Sequence, residues 1–207
     1  MSLEQEIKLV VNSEQKINLA SLASLMALAD HDVESSHLVS TYYDTADLYL
    51  SKKKLGLRLR QHDKQWWQTV KTAGVVKEGL HQRDEWEYPL QGPQWDLSTL
   101  RQTPLADMIE NTTLWSSLAP LFTTDFVRDS WQLTLADNSQ VELAYDFGEV
   151  RAGDQSCSIH EIELELKSGD VESLNQLAKL LRSQFDVAPS NCSKAKMGYD
   201  LVAVLAS

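Results

Sequence analysis

Cysteine is nearly absent. Cys157 and Cys192 are the only two in 207 residues, and neither stands in a C-x-x-C or Cys/His spacing, so a thiolate metal site and a disulfide framework are excluded and both read as packing residues. Long apolar runs are missing too. Nothing approaches the roughly 18 residues that a spanning helix needs, and no basic segment leads into an apolar one at the N-terminus, so the expectation is a cytoplasmic protein without a membrane partner. No glycine-rich phosphate loop is present among the 8 glycines, and the five histidines (His31, His37, His62, His81 and His160) show no metal-ligand spacing. No Ser-His-Asp or Cys-His arrangement suggests a covalent nucleophile. Basic residues are in deficit, 19 Lys and Arg against 30 Asp and Glu for a net charge of -11, which excludes a general electrostatic grip on nucleic acid; an anionic ligand would have to be held locally.

What the chain has instead is charge that alternates with apolar residues. Glu4, Glu6 and Lys8 recur at every second position, as do Glu161, Glu163 and Glu165 with Ile162, Leu164 and Leu166 between them. On a β-strand each set shares one face at about 7 Å spacing. Carboxylates so placed repel one another unless a cation lies between them, so the pattern asks for a metal or a basic partner. The opposite sign follows in Leu57-Arg58-Leu59-Arg60, Thr69-Val70-Lys71 and Arg83-Asp84-Glu85-Trp86-Glu87. A sheet with its charged face in water accounts for ordinary alternation. Exposed strands, however, mix Lys, Thr, Ser and Gln rather than concentrating arginine pairs and glutamate triplets. The alternative is a barrel with a polar lumen and an apolar outer face, and a ligand that needs many cations and a few metal-binding carboxylates is a polyphosphate.

The chain reads as one domain over 1–207, α+β but mainly β, with eight antiparallel strands closed into a tunnel and helices packed outside. The strands are expected over 2–11, 37–45, 55–62, 66–72, 80–90, 122–135, 141–151 and 157–167. Ser13 is expected to cap a first helix carrying Ile17, Leu22, Leu25, Met26 and Leu28 on one stripe. Further helices are expected over 46–53, 105–118, from Gly169-Asp170 onward and over 195–206, and the six Trp residues to pack between barrel and helices.

Taken in order, these segments resemble the CYTH superfamily, the triphosphate tunnel metalloenzymes. Glu4-x-Glu6-x-Lys8 matches the family's first-strand signature. Tyr42-Tyr43-Asp44-Thr45, the Arg58 and Arg60 pair, Gln68-Thr69-Val70-Lys71, Arg83-x-Glu85-x-Glu87, Phe126-Val127-Arg128, Tyr145-Asp146, the strand from Glu161 and Ser193-Lys194-Ala195-Lys196 follow. The stretches 71–76 and 79–83 look like the bacterial inorganic triphosphatase branch, whose members often carry a second, helical CHAD domain; this chain would be a stand-alone member or the N-terminal domain of a longer one.

The resemblance implies hydrolysis of inorganic triphosphate with Mg²⁺ or Mn²⁺. Lys8, Arg58, Arg60, Lys71, Arg83, Arg128 and Lys194 would form a phosphate cage, since guanidinium forks match phosphate oxygens and ammonium groups act as point charges. Some relatives carry a further basic residue where Ser130 stands here. Glu4, Glu6, Asp146, Glu161, Glu163 and Glu165 offer the oxygen ligands that a hard cation takes, and Glu4, Glu6 and Lys8 are the catalytic candidates. Glu85 and Glu87 are expected to orient the cage. A class IV adenylate cyclase, a thiamine triphosphatase, a non-catalytic polyphosphate-binding module and a structural domain remain as alternatives. The oligomeric state is open.

Overall fold

The computed structural model describes residues 2–205. Ten strands are present: β1 Ser2–Val11, β2 Glu34–Asp44, β3 Leu55–His62, β4 Gln65–Thr72, β5 Val75–Lys77, β6 Leu80–Leu90, β7 Ala119–Thr134, β8 Gln140–Ala152, β9 Gln155–Ser168 and β10 Val187–Pro189. The helices are α1 Ala23–Met26, α2 Tyr49–Lys52, α3 Leu97–Leu100, α4 Ala106–Glu110, α5 Thr112–Ser116, α6 Val171–Gln184 and α7 Lys194–Leu205. Eight strands close on themselves in the order β1-β9-β8-β7-β2-β3-β4-β6, the ring completed by Ser2 to Ile7 of β1 pairing with Leu80 to Glu85 of β6. Every pairing is antiparallel. The two short strands not expected from the sequence, β5 and β10, add to β6 and to Leu9–Val11 of β1. Among the described residues no helix is long and apolar enough to cross a membrane.

Alternation sorts the side chains. Ile7, Leu9, Leu143, Tyr145, Ile162 and Leu164 point outward beneath α6, whose Leu174, Leu177, Ala178 and Leu181 recur at helical spacing. Asp170 starts α6 by accepting the Glu172 amide at 2.9 Å. On the opposite flank Leu57, Val70 and Trp86 pack against Leu50, Leu100, Leu105, Met108 and Ile109 from the helical connections. Full burial of such side chains stabilises by about 1.5–3 kcal/mol each.

Two local expectations fail. No helix begins at Ser13: its hydroxyl accepts the Gln15 amide at 3.0 Å in a local turn, and only a 3₁₀ turn at Leu19–Ser21 and the single-turn α1 follow. Leu19 and Leu25 are still buried, so packing rather than helical propensity sets this segment. The expected helix over 105–118 is split into α4 and α5 by Asn111, whose side chain accepts the Leu114 amide at 3.0 Å and starts a new helix. Ala206, the end of the expected terminal helix, lies outside the described residues.

Helix α7 differs from the others in where it packs. Ala195, Met197, Tyr199, Leu201 and Val202 meet Leu38, Tyr42, Phe122, Phe126, Val150 and Ile159. Phe126 shares a face with Arg128, Val150 with Asp146, and Ile159 with Glu161, so α7 fills one end of the barrel interior. Tyr199 is wedged there, its hydroxyl donating to Asp44 at 3.0 Å and its ring edge-on to Phe122 at 5.2 Å. A Cβ at Gly198 would fall 2.1 Å from the Phe122 ring, so only glycine lets α7 approach this closely. Gly198→Ala is therefore expected to cost about 1–3 kcal/mol through overpacking, read as a fall in the thermal midpoint, while Ala195→Gly on the same helix is expected to cost less.

Candidate active site

The unplugged part of the barrel encloses a cavity of about 920 Å³. Ten Lys and Arg side chains and nine Asp and Glu side chains line it, in a chain whose net charge is -11. All seven residues of the expected cage (Lys8, Arg58, Arg60, Lys71, Arg83, Arg128 and Lys194) are on its wall, with Glu4, Glu6, Glu163 and Glu165. They meet because pleating gives each strand one inward face and the closed ring aims all eight at one axis.

The charges form two paired clusters and one less compensated patch. In the first cluster Lys71 donates to Glu4 at 2.8 Å and lies 3.2 Å from Glu85, while Arg83 bonds Glu4 through Nε and Glu6 through Nη2 at 2.7 Å. Burial pushes the Glu4 carboxyl up, but Lys71 and Arg83 outweigh it and hold it well below the usual carboxylate range.

In the second cluster Arg128 grips Asp146 with two bonds of 2.7 Å and also reaches Glu163. Lys194, the first residue of α7, donates to Asp146 at 2.6 Å, to Glu163 at 2.9 Å and to Glu161. Lys8 joins it by bonding Glu163, with Glu6 at 3.2 Å, and so links the two clusters. Burial disfavours the Lys8 and Lys194 ammonium groups, yet the surrounding carboxylates raise both above the ordinary lysine range. Asp146 and Glu163 are held low by Arg128, Lys194 and, for Glu163, Lys8, against the effect of burial. Glu161 goes the other way: burial pushes it up, with Glu163 and Asp146 adding to the effect, and the lysines do not fully offset them.

The patch is Arg58 and Arg60. Arg58 donates to the Tyr42 hydroxyl at 3.3 Å, lies 3.5 Å from Glu87 and 3.8 Å from Glu85, and leaves its buried Nε unbonded, so of the two it is Arg60 that lacks compensation. Arg60 donates to the Ser40 hydroxyl at 2.9 Å and has no carboxylate within ion-pair distance among the described residues. Burial, then Arg58 beside it, pushes the Arg60 guanidinium down to about 10.

Asp146 and Glu161, expected to face the lumen as metal ligands, lie behind the cavity wall under Lys194. Glu165 stands apart from them and pairs with Lys167 at 2.9 Å. Oxygen atoms of Asp146, Glu161 and Glu163 lie within 4.8 Å of one another, an all-oxygen set of the kind a hard divalent cation takes. The Lys194 ammonium group now stands among these three carboxylates, so the donor set fits such an ion by its chemistry, with Lys194 holding the position of the positive charge. Lys196 also lines the cavity, and its ammonium group pairs with Asp200 at 2.7 Å. Glu142, Lys167 and His81 line the cavity without having been singled out as site residues. Parity was the available signal: Lys167 is two residues beyond Glu165, and His81 two before Arg83. His81 is buried, and its Nε2 faces the Ser190 carbonyl at 3.0 Å.

A CYTH domain model matches residues 2–199. The inorganic triphosphatase of Haemophilus influenzae is 38% identical over 200 residues, a match covering 96% of this chain and 55% of that protein, so the chain spans about half the length of this curated relative. Among solved structures, HpAC1 of Hippeastrum, described as having a dominant triphosphatase activity, is similar with a TM-score of 0.66 at 21% identity over 95% of each chain. The PH1819 protein of Pyrococcus horikoshii is similar with a TM-score of 0.57 at 16% identity over 96% of this chain and 99% of that one. At such identities the likeness concerns the fold.

Removing Lys194 would leave Asp146, Glu161 and Glu163 buried with too little positive charge. Lys194→Met is expected to cost about 3–5 kcal/mol, measured by urea unfolding in chelator-containing buffer; an unchanged midpoint would contradict the charge accounting. The pH dependence has a definite sign. Glu4, Glu87, Asp146 and Glu163 titrate lower folded than unfolded, so the stability they contribute is present above their ordinary values of 4.5 and 3.8 and is lost as pH falls through their folded values. Glu161 and Glu165, raised by burial, act oppositely but are fewer. The thermal midpoint should therefore drop below about pH 4, as a scan from pH 3 to 7 would show.

Proposed function

The chain belongs to the CYTH domain family, and from that premise we propose that it hydrolyses inorganic triphosphate to diphosphate and orthophosphate inside the barrel, with a divalent cation, Mg²⁺ or Mn²⁺, as cofactor. The observation that carries this reading is the pairing of a buried carboxylate cluster with Arg60, a cavity-lining guanidinium without a carboxylate partner among the described residues, around one cavity.

Arg60 receives the phosphate chain first, with Arg58 beside it, because its guanidinium group lines the cavity and holds a hydroxyl, Ser40, rather than a carboxylate. Lys71, Arg83 and Lys8 now neutralise carboxylates. As phosphate oxygens draw these cations over, Glu4, Glu6 and Glu163 lose part of their compensation and become better acceptors for a proton or ligands for a cation. When bound, the cation neutralises phosphate charge and lowers the pKa of water. Asp146, Glu161 and Glu163 are its candidate ligands, with Glu4 and Glu6 close by on β1. A water oxygen attacks the terminal phosphorus, the phosphoanhydride bond breaks, its electron pair leaves on the diphosphate, and a cavity carboxylate takes the proton of the water. Lys194 and Arg128 hold the charge that develops on the oxygens.

A cyclase would need a surface for adenine. The tyrosine rings on the cavity wall, Tyr42 and Tyr199, both pack on Phe122, stacked at 4.6 Å and edge-on at 5.2 Å.

Phosphate release from tripolyphosphate, measured beside ATP with Mg²⁺ or Mn²⁺, tests the reading. The Glu4→Gln/Glu6→Gln double variant is expected to lose at least about 100-fold in kcat. Arg60→Ala is expected to raise KM by about tenfold or more, the worth of a charge-assisted hydrogen bond. Cyclic AMP formed from ATP would favour the cyclase; tight tripolyphosphate binding without any product would favour a binding module.

A further inference from the structure

Lys194 reaches three buried carboxylates from the first turn of a helix, and the four residues before it, 190–193, belong to no regular element. Something must fix where that helix begins. The edge of β1 changes partner at this point: Ser2 to Ile7 pair with β6, Leu9 to Val11 pair with β10, and Lys8 stands at the changeover, its amide donating to the Gly79 carbonyl and its carbonyl accepting the Ser190 amide, both at 2.9 Å. Two side-chain contacts from the start of β6 reinforce the junction. The Gly79 amide donates to Asn191 Oδ1 at 2.8 Å, and His81 Nε2 meets the Ser190 carbonyl at 3.0 Å. A carbonyl only accepts, so Nε2 carries the hydrogen. Room is short: a Cβ at Gly79 would lie 3.0 Å from both the Lys8 carbonyl oxygen and Pro189.

We propose that His81 is a positioning residue for the reaction: with Asn191 it clamps the Ser190–Ser193 strap across the seam of β1 and β6 and so aims Lys194 at Asp146, Glu161 and Glu163. His81 suits the role. It is 2% exposed and lies on the cavity side of β6, two residues before Arg83, which holds Glu4 and Glu6. One strand thus sets both charge clusters, the first directly through Arg83 and the second through the strap. Without the clamp the strap is tied to the barrel by its backbone bond to Lys8 and to α7 through Ser193, which accepts the Lys196 and Met197 amides, and a shift of the Lys194 ammonium group by about an ångström is enough to matter for catalysis.

The inference rests on the triphosphatase reading, so wild-type hydrolysis of tripolyphosphate is measured first, with calorimetric affinity for tripolyphosphate in parallel; a wild-type chain without hydrolysis removes that reading, and the clamp is then judged on affinity. His81→Phe fills the site without a donor, His81→Gln keeps a donor, and both are made in the wild-type and Lys194→Met backgrounds. His81→Phe is expected to lower kcat/KM about tenfold or more, or affinity correspondingly, His81→Gln to restore most of it, and His81→Phe to have little further effect once Lys194 is gone. A purely structural role would reduce both backgrounds equally and would not be rescued by Gln. Equal losses in the two backgrounds, or no loss from His81→Phe, would overturn the proposal. If His81→Phe does not fold, Asn191→Ala is taken through the same cycle with the same expected pattern.

Discussion

Burial of charge is the constraint on which the rest of this structure depends. An ion taken out of water without a partner costs several kcal/mol, more than a small domain can tolerate many times over. Here Lys8, Glu6, Glu163, Lys194 and Asp146 are each nearly or fully inaccessible. They coexist because each touches an opposite charge: Lys8 joins Glu6 to Glu163, Lys194 spans Asp146, Glu161 and Glu163, and Arg128 closes the set from β7. Substitutions at one of these positions therefore change the charge state of its neighbours, and effects within a cluster will not add.

A compensated lattice is also one that can be exchanged. A polyanion entering beside Arg60 and a cation entering near Glu163 offer the lattice residues new partners of the same sign as those they leave. On the proposed function the arrangement resolves a conflict: a cavity charged strongly enough to hold a phosphate chain must still fold without one. Arg60, where compensation is weakest, marks where that conflict is least resolved, and its lowered guanidinium is the signature.

The barrel wall depends on the same division of faces. Outward positions are apolar because α6 and the helical connections cover them, and inward positions are charged except at the end that α7 fills. There the inward residues become Leu38, Phe122, Phe126, Val150 and Ile159, and the helix that covers them delivers Lys194. One element thus closes the barrel and completes the site.

Much of this was legible in the residue order, because a strand's side-chain period is two and cannot be mistaken over ten residues. The alternation in Glu4-x-Glu6-x-Lys8, Leu57-Arg58-Leu59-Arg60 and Glu161 to Glu165 determined that these strands have one charged face and one apolar face, and that the charged faces need each other. Lys8, Arg58, Arg60, Lys71 and Arg83 follow from that parity, whereas Arg128 and Lys194 were singled out through the family resemblance, Lys194 lying on α7 rather than on a strand. Short helices were less legible, since a turn such as 23–26 or the break at Asn111 is set by packing and by one capping side chain rather than by a repeating pattern. Ion partners were not legible at all. That Asp146 and Glu161 sit behind Lys194 and that His81 and Asn191 hold the strap depend on contacts between residues up to 112 apart in sequence. The sequence by itself determined which faces carry charge, through the strand period. Only the tertiary structure decided which charges meet, because that depends on how far the strands slide past one another as the ring closes and on where α7 enters it.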